Sequence, residues 1–154
     1  MPVFLNVTLG VPPSARVGFE SKRVSHWMAS EWGQSGLAQF VSTTNVVESL
    51  RQFKDVVEIE HIKDACERTC AVWNECASKV VAGKSEREVQ LLFDMALRAH
   101  GASENSFGTI VASGPNSASP HHETSERVIA AGDPVTIDFG GVFTKGYCSD
   151  LTRT

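Results

Sequence analysis

The chain has 154 residues, of which 42% are apolar and 21% charged, and its formal net charge is −4. These values predict an ordinary globular protein with one core, and the acidic balance without a basic tract argues against a nucleic-acid-binding surface. No apolar run approaches the length that a membrane span requires.

The first third of the chain predicts short elements. Residues 1–8, M-P-V-F-L-N-V-T, lack the basic and apolar regions of a secretory signal, which favours a cytoplasmic protein with reduced thiols. Val17 to Glu20 indicate a strand, and Ser21 to Gly33 a short helix that ends at its glycine. Residues 34–44 are interpreted as a connection.

Two longer helices follow. From Asp55 to Val81, apolar residues recur at helical spacing, with Ile59 and Cys66 on the predicted buried face. Three of the four cysteines lie in this helix and are predicted to be small buried apolar groups. Ser85 and Glu88 form a capping-box pattern that opens a second helix, which ends at a glycine. Its predicted buried face comprises Val89, Leu92, Phe93, Ala96 and Leu97.

The remaining residues predict strands. Phe107 to Ser113 indicate one strand, and Gly114 to His122 have the composition of a loop. In Pro134 to Gly140, Val135, Ile137 and Phe139 alternate with Asp138, which therefore points away from the core. Because helices and strands occur in separate runs, the predicted fold class is α+β, with two helices packed on a mainly antiparallel sheet.

The last eighteen residues, I-D-F-G-G-V-F-T-K-G-Y-C-S-D-L-T-R-T, predict a hairpin that carries two acids. A three-residue turn, with Gly146 in the left-handed conformation, places Asp138 and Asp150 on one face, about 7–8 Å apart at the backbone. Two converging carboxylates require either a proton or a cation, and hard oxygen ligands suit Mn²⁺, Mg²⁺, Co²⁺ or Zn²⁺. On spacing alone, a solvated turn remains the alternative.

The same residues strongly resemble the first metal-binding hairpin of the pita-bread metallopeptidases, the family of Xaa-Pro aminopeptidases, prolidases and methionine aminopeptidases. S-F-G-T-I-V-A-S-G-P-N-S-A-S-P-H-H resembles the strand and loop that lead to the family's substrate-side histidine. R-V-G-F-E is similar to the end of the N-terminal domain in the Xaa-Pro branch. The resemblance implies the first half of a pita-bread fold, with residues 1–48 as the end of a creatinase-like domain and residues 49–154 as half of the catalytic domain.

The resemblance also implies roles for individual residues. Asp138 and Asp150 match the first two of five metal ligands, and His121 matches the histidine that contacts the substrate. Two divalent ions, Mn²⁺ or Co²⁺, would then serve cleavage of Xaa-Pro peptides. The other ligands, a histidine and two glutamates, have no match here, so we expect weak or partial metal binding, and no peptidase activity from this truncated chain.

The resemblance and the composition also predict the partners of the chain. The peptide substrate would carry proline at its second position, and neither nucleic acid nor a membrane is an expected partner. Half of a pita-bread sheet leaves an uncovered edge, which predicts a homo-oligomer or another association through that edge.

A non-catalytic binding module of the same fold, or a pseudogene product, is the alternative function, although retention of the two aspartates and His121 counts against a decayed site.

Overall fold

A computed structural model describes residue 12 and residues 14–154, so the expectation about a secretory signal in residues 1–8 lies outside the described part. The chain divides into two compact units, one ending at Phe53 and the other running Lys54–Thr154. None of the described helices combines the length and apolar character needed to cross a bilayer. Each unit is described separately below.

The first unit contains a two-stranded parallel sheet and two short helices. Its elements in chain order are β1 (Arg16–Glu20), α1 (His26–Gln34), β2 (Gln39–Thr43) and α2 (Val46–Arg51). The predicted strand at Val17 to Glu20 is confirmed, whereas the interpretation of residues 34–44 as a connection is wrong, because β2 pairs with β1. Trp32 of α1 contacts Phe19 and Phe40, with ring centroids 6.0 and 5.6 Å away, so aromatic packing holds the two strands and the helix together.

The second unit opens with helix α3, Val56–Cys76. Asp55 accepts from the Glu58 amide and the Glu58 carboxylate accepts from the Asp55 amide, which completes a capping box. The residues that α3 buries recur at helical spacing and are Ala65, Thr69, Val72 and Cys76. The predicted buried face was therefore displaced around the helix, and Ile59 is 54% exposed.

The cysteines are all free thiols, and their predicted burial is only partly correct. Cys76 is buried, but Cys66 and Cys70 are exposed on α3. Thr69 takes a place on the buried face because its hydroxyl has partners there, donating to the Ala65 carbonyl oxygen and lying close to the Ser149 hydroxyl. Hydropathy alone could not assign the buried position to this polar residue.

Helix α4 spans Glu86–Ala99 and begins at the predicted capping box, in which Ser85 and Glu88 exchange hydrogen bonds of 2.7 and 3.1 Å. Four of the predicted core positions are buried, namely Val89, Phe93, Ala96 and Leu97. Leu92 is partly buried against the same core. The chain leaves the helix through Gly101, whose φ of +92° is favourable for glycine.

The strands of the second unit are antiparallel. They are β3 (Glu104–Asn105), β4 (Ile110–Ser113), β5 (Val135–Phe139), β6 (Gly141–Val142) and β7 (Leu151–Arg153). One sheet has the order β4-β5-β7, and a second pairs β3 with β6. Apolar residues of α3, α4, β4 and β5 share one core, in which Ile137 and Phe139 are buried as predicted. The α+β fold class, with two helices packed on antiparallel strands, is confirmed.

Candidate metal centre

The hairpin that carries the two aspartates has the predicted three-residue turn. Phe143 donates its amide to the Tyr147 carbonyl oxygen at 2.8 Å, so the turn consists of residues 144–146. Lys145 and Gly146 both have positive φ, at 60° and 82°. β5 and β7 pair Phe139 with Leu151 and Asp138 with Thr152, and continuing this register places Gly140 opposite Asp150.

The carboxylates of Asp138 and Asp150 converge. Burial raises the pKa of Asp150, and both the charge of Asp138 and a hydrogen bond shared with it raise that pKa further. Thr152 faces Asp138 across the strand pair and donates its hydroxyl to Asp138 Oδ1 at 2.7 Å. Two acids that compete for a proton in this way favour a site that also accepts a cation.

The carboxylate oxygens of Asp138 and Asp150 are the type of ligand atom that hard divalent ions prefer. Carboxylate oxygens suit Mn²⁺, Mg²⁺ or Ca²⁺, and two of them converge here. Within residue 12 and residues 14–154, no third His, Cys, Asp or Glu joins them to make a group of three. The hairpin therefore offers part of a ligand set, which water or further protein groups would have to complete.

A buried polar contact fixes the backbone beside Asp150. The hydroxyls of Thr69 and Ser149 are 2.5 Å apart, and Ser149 Oγ also accepts from the Gly141 amide at 3.0 Å. Ser106 donates to the Ser149 carbonyl oxygen at 2.8 Å. A Cβ at Gly140 would overlap that same carbonyl oxygen, so only glycine fits between the strands at this point. Helix α3 is thus joined directly to the residue that precedes the second acid.

Sequence reasoning did not find this contact. The sequence offered one signal: Thr69 lies at helical spacing from the other buried residues of α3, Ala65, Val72 and Cys76. Its partner Ser149 lies 80 residues away, a separation that no local pattern encodes.

His121 is exposed and lies in the loop that follows β4. In the described residues, no hydrogen bond joins its ring to Asp138 or Asp150, so the structure brings the two acids together without adding the histidine. The neighbouring His122 is the anchored one, because its Nε2 lies 2.9 Å from Glu86 Oε2. Glu86 was missed as a functional candidate, since the capping-box pattern explained the acids around it.

Three comparisons with known proteins agree with this geometry. Residues 60–154 match metallopeptidase family M24. The Xaa-Pro dipeptidase of Pyrococcus furiosus is 37% identical over 121 residues, which are 79% of this chain and 34% of that protein. The solved Xaa-Pro dipeptidase from Bacillus anthracis has a TM-score of 0.84 at 40% identity, covering 90% of this chain and 39% of its own. For the X-Pro aminopeptidase from Thermotoga maritima MSB8, the TM-score is 0.80 at 36% identity, with 90% and 40% covered.

The chain spans between 34% and 40% of the length of these three relatives. The family match begins at residue 60, within α3, and continues through residue 154, so it includes most of α3, all of α4 and the hairpin. The similarity to solved structures confirms that the α+β architecture is that of a pita-bread fold. With a match over more than half of its residues, the chain belongs to metallopeptidase family M24.

Proposed function

We propose that this chain forms part of a dinuclear metal-dependent peptidase that cleaves Xaa-Pro peptide bonds. The observation that carries the proposal is the register of β5 and β7, which places Asp138 and Asp150 on one face of the hairpin. The relatives named above are Xaa-Pro peptidases, and this supports the substrate class. Because both dipeptidases and an aminopeptidase occur among them, the proposal covers peptides with proline at the second position without choosing between the two reactions.

Each residue has a proposed role. Asp138 and Asp150 would supply two of the ligands for divalent ions, Mn²⁺ or Co²⁺, which when bound would activate water and polarise the scissile carbonyl. Thr152 orients Asp138 through its 2.7 Å hydrogen bond, and the contact between Thr69 and Ser149 fixes the strand at Asp150. His121, exposed in the loop after β4, is available to donate a hydrogen bond to the substrate.

Replacing Asp150 with Asn is expected to weaken Mn²⁺ binding by at least about tenfold, because it removes one of the two carboxylates that face each other on the hairpin, together with its charge. Asp138→Asn is expected to act similarly. Free Mn²⁺ in titrations of the 154-residue chain can be measured by its electron paramagnetic resonance signal. Asp64→Asn is the matched control, since it removes a carboxylate paired with Arg68 on the surface of α3.

Equal Mn²⁺ affinity in the wild type, Asp138→Asn and Asp150→Asn would contradict the proposed metal site. It would instead favour a non-catalytic binding module on the same fold.

The 154 residues alone are expected to show no cleavage of an Xaa-Pro dipeptide or tripeptide at saturating Mn²⁺. The physical reason is that two carboxylates cannot hold two ions and leave an ordered position for substrate, and no third acidic, histidine or cysteine ligand joins them in the described residues. Release of the N-terminal residue can be followed by chromatography. Turnover that persists after contaminating host peptidases have been removed would contradict this expectation.

A further inference from the structure

Glu86 is a buried carboxylate whose two oxygens are both engaged. Its side chain is 0% exposed, although glutamate is seldom fully buried without partners. Oε1 accepts from the Ser113 amide and hydroxyl, both at 2.8 Å, and from Asn116 Nδ2 at 3.0 Å. Oε2 accepts from the Ser125 amide at 3.0 Å and its hydroxyl at 2.7 Å, and lies 2.9 Å from His122 Nε2.

This environment keeps the carboxyl group ionised. Burial by itself would raise the pKa of Glu86, but the hydrogen bonds from its donors outweigh burial and hold that pKa well below its ordinary value. An ionised carboxylate only accepts hydrogen bonds, so Nε2 of His122 carries the proton in this contact. Glu86 is also the first residue of α4, where the helix dipole favours a negative charge.

A hydrogen-bonded network of charged side chains extends from Ser113, a partner of Glu86, to Arg127 and Asp133. Arg127 Nη1 donates to the Ser113 hydroxyl and to Asp133 Oδ2, both at 2.6 Å. The hydrogen bond to Asp133 raises the pKa of Arg127, so the guanidinium stays charged near Glu86. The groups that face Glu86 from other segments are therefore His122 and Arg127, with Asp133 beyond the arginine.

The contacts of Glu86 lie on both sides of His121. Residues 114–125 are here called the histidine loop. Between residues 115 and 123, two side chains of the described structure form hydrogen bonds to residues outside this loop, those of Asn116 and His122, and both end on Glu86. Ser113, the last residue of β4 before the loop, and Ser125 at the end of the loop bind the same carboxylate. Thr124 is held to β4 independently of Glu86, because its hydroxyl donates to the Thr109 carbonyl oxygen and accepts from the Val111 amide. Glu86 thus holds the part of the loop between residues 115 and 123, which includes His121.

We propose that Glu86 is a positioning residue, which holds the histidine loop so that His121 is presented to substrate. The proposal rests on the proposed function, because that function gives His121 its role. Glu86 forms no hydrogen bond with Asp138 or Asp150 in the described residues, so its proposed role is indirect and acts through the loop that carries His121.

The test is the order of the histidine loop in Glu86→Gln, which keeps the shape of the side chain but places amide hydrogens against existing donors. Backbone order parameters of residues 115–123, from ¹⁵N relaxation of the 154-residue chain, are expected to fall from about 0.85 to below about 0.6. Resonances of the hairpin from Asp138 to Asp150, and the Mn²⁺ affinity, are expected to stay unchanged. Glu126→Gln is the control, because it removes a charge from an 81% exposed side chain nearby.

A second variant keeps the test decisive where Glu86→Gln does not fold. Asn116→Ala combined with His122→Ala removes the two hydrogen bonds that reach Glu86 from residues 115–123 and leaves those of Ser113 and Ser125 in place. The loop is expected to lose order while the core remains folded.

Loop resonances and order parameters that match the wild type in either folded variant would overturn the positioning role. Failure of the wild type to bind Mn²⁺ would instead count against the proposed metal site, so the two proposals fail by different measurements.

Discussion

Phe93→Ala is expected to lower the free energy of unfolding by about 3–5 kcal/mol. Phe93 is 0% exposed, and its ring lies 4.7 Å from that of Phe139 and 6.1 Å from that of Trp73, measured between centroids. The substitution removes the aromatic contact between α4 and β5, the strand that carries Asp138. Urea denaturation followed by circular dichroism measures the change in unfolding free energy. The slope of the unfolding free energy against urea concentration should stay the same if the unfolded state is unchanged.

Met95→Ala is the matched control on the same helix, because Met95 is 72% exposed and its truncation should change stability by less than about 0.5 kcal/mol. If Phe93→Ala is unfolded without denaturant, Phe93→Leu retains most of the apolar volume and should lose less stability. Similar unfolding free energies for Phe93→Ala and Met95→Ala would mean that the core is not centred on this residue.

The second large effect is a loss of stability at low pH, caused by protonation of Glu86. In the folded chain, the hydrogen bonds to Glu86 overcome its burial and hold its pKa well below the ordinary value of 4.5. A group whose pKa is depressed by folding stabilises the protein fully above its unfolded pKa and loses that contribution as the pH falls. The wild type should therefore lose up to about 1.4 kcal/mol per pH unit from this one carboxyl below about pH 4.5.

Glu86→Gln should lower the unfolding free energy at pH 7 by about 3 kcal/mol or more, because it removes the charge around which six donors are arranged. Below pH 4.5, the unfolding free energy of Glu86→Gln should also fall less steeply with pH than that of the wild type. The difference in slope should correspond to the uptake of close to one proton fewer on unfolding. Urea titrations between pH 7 and pH 3 measure both quantities, with Glu126→Gln as the control. Parallel pH curves for the wild type and Glu86→Gln would contradict the assignment.

Local rules predicted much of the fold because they act over few residues. The capping box at Ser85 and Glu88 begins α4 as expected. Alternation placed Ile137 and Phe139 in the core, and the parity of a three-residue turn placed Asp138 and Asp150 on one face. Each of these features depends on hydrogen bonds or side-chain direction within one element or one hairpin.

The features that sequence reasoning missed depend on distant partners. β2 forms because residues 39–43 pair with residues 16–20, across a helix. The buried face of α3 includes Thr69, because Ser149 supplies a partner for its hydroxyl. Glu86 is buried rather than exposed because its donors arrive from a loop 27 to 39 residues away. Hydropathy patterns carry no information about such pairings, so polar core residues are the positions they misassign.

Paramagnetic broadening by Mn²⁺ tests the metal site most directly. Substoichiometric Mn²⁺ added to the ¹⁵N-labelled 154-residue chain should first broaden amide resonances around Asp138, Asp150 and the facing Thr152, where the carboxylates converge. The pattern should disappear in Asp150→Asn and persist in Asp64→Asn. Broadening centred elsewhere, such as on the exposed acids of α3, or spread evenly over the surface, would contradict a metal centre on this hairpin.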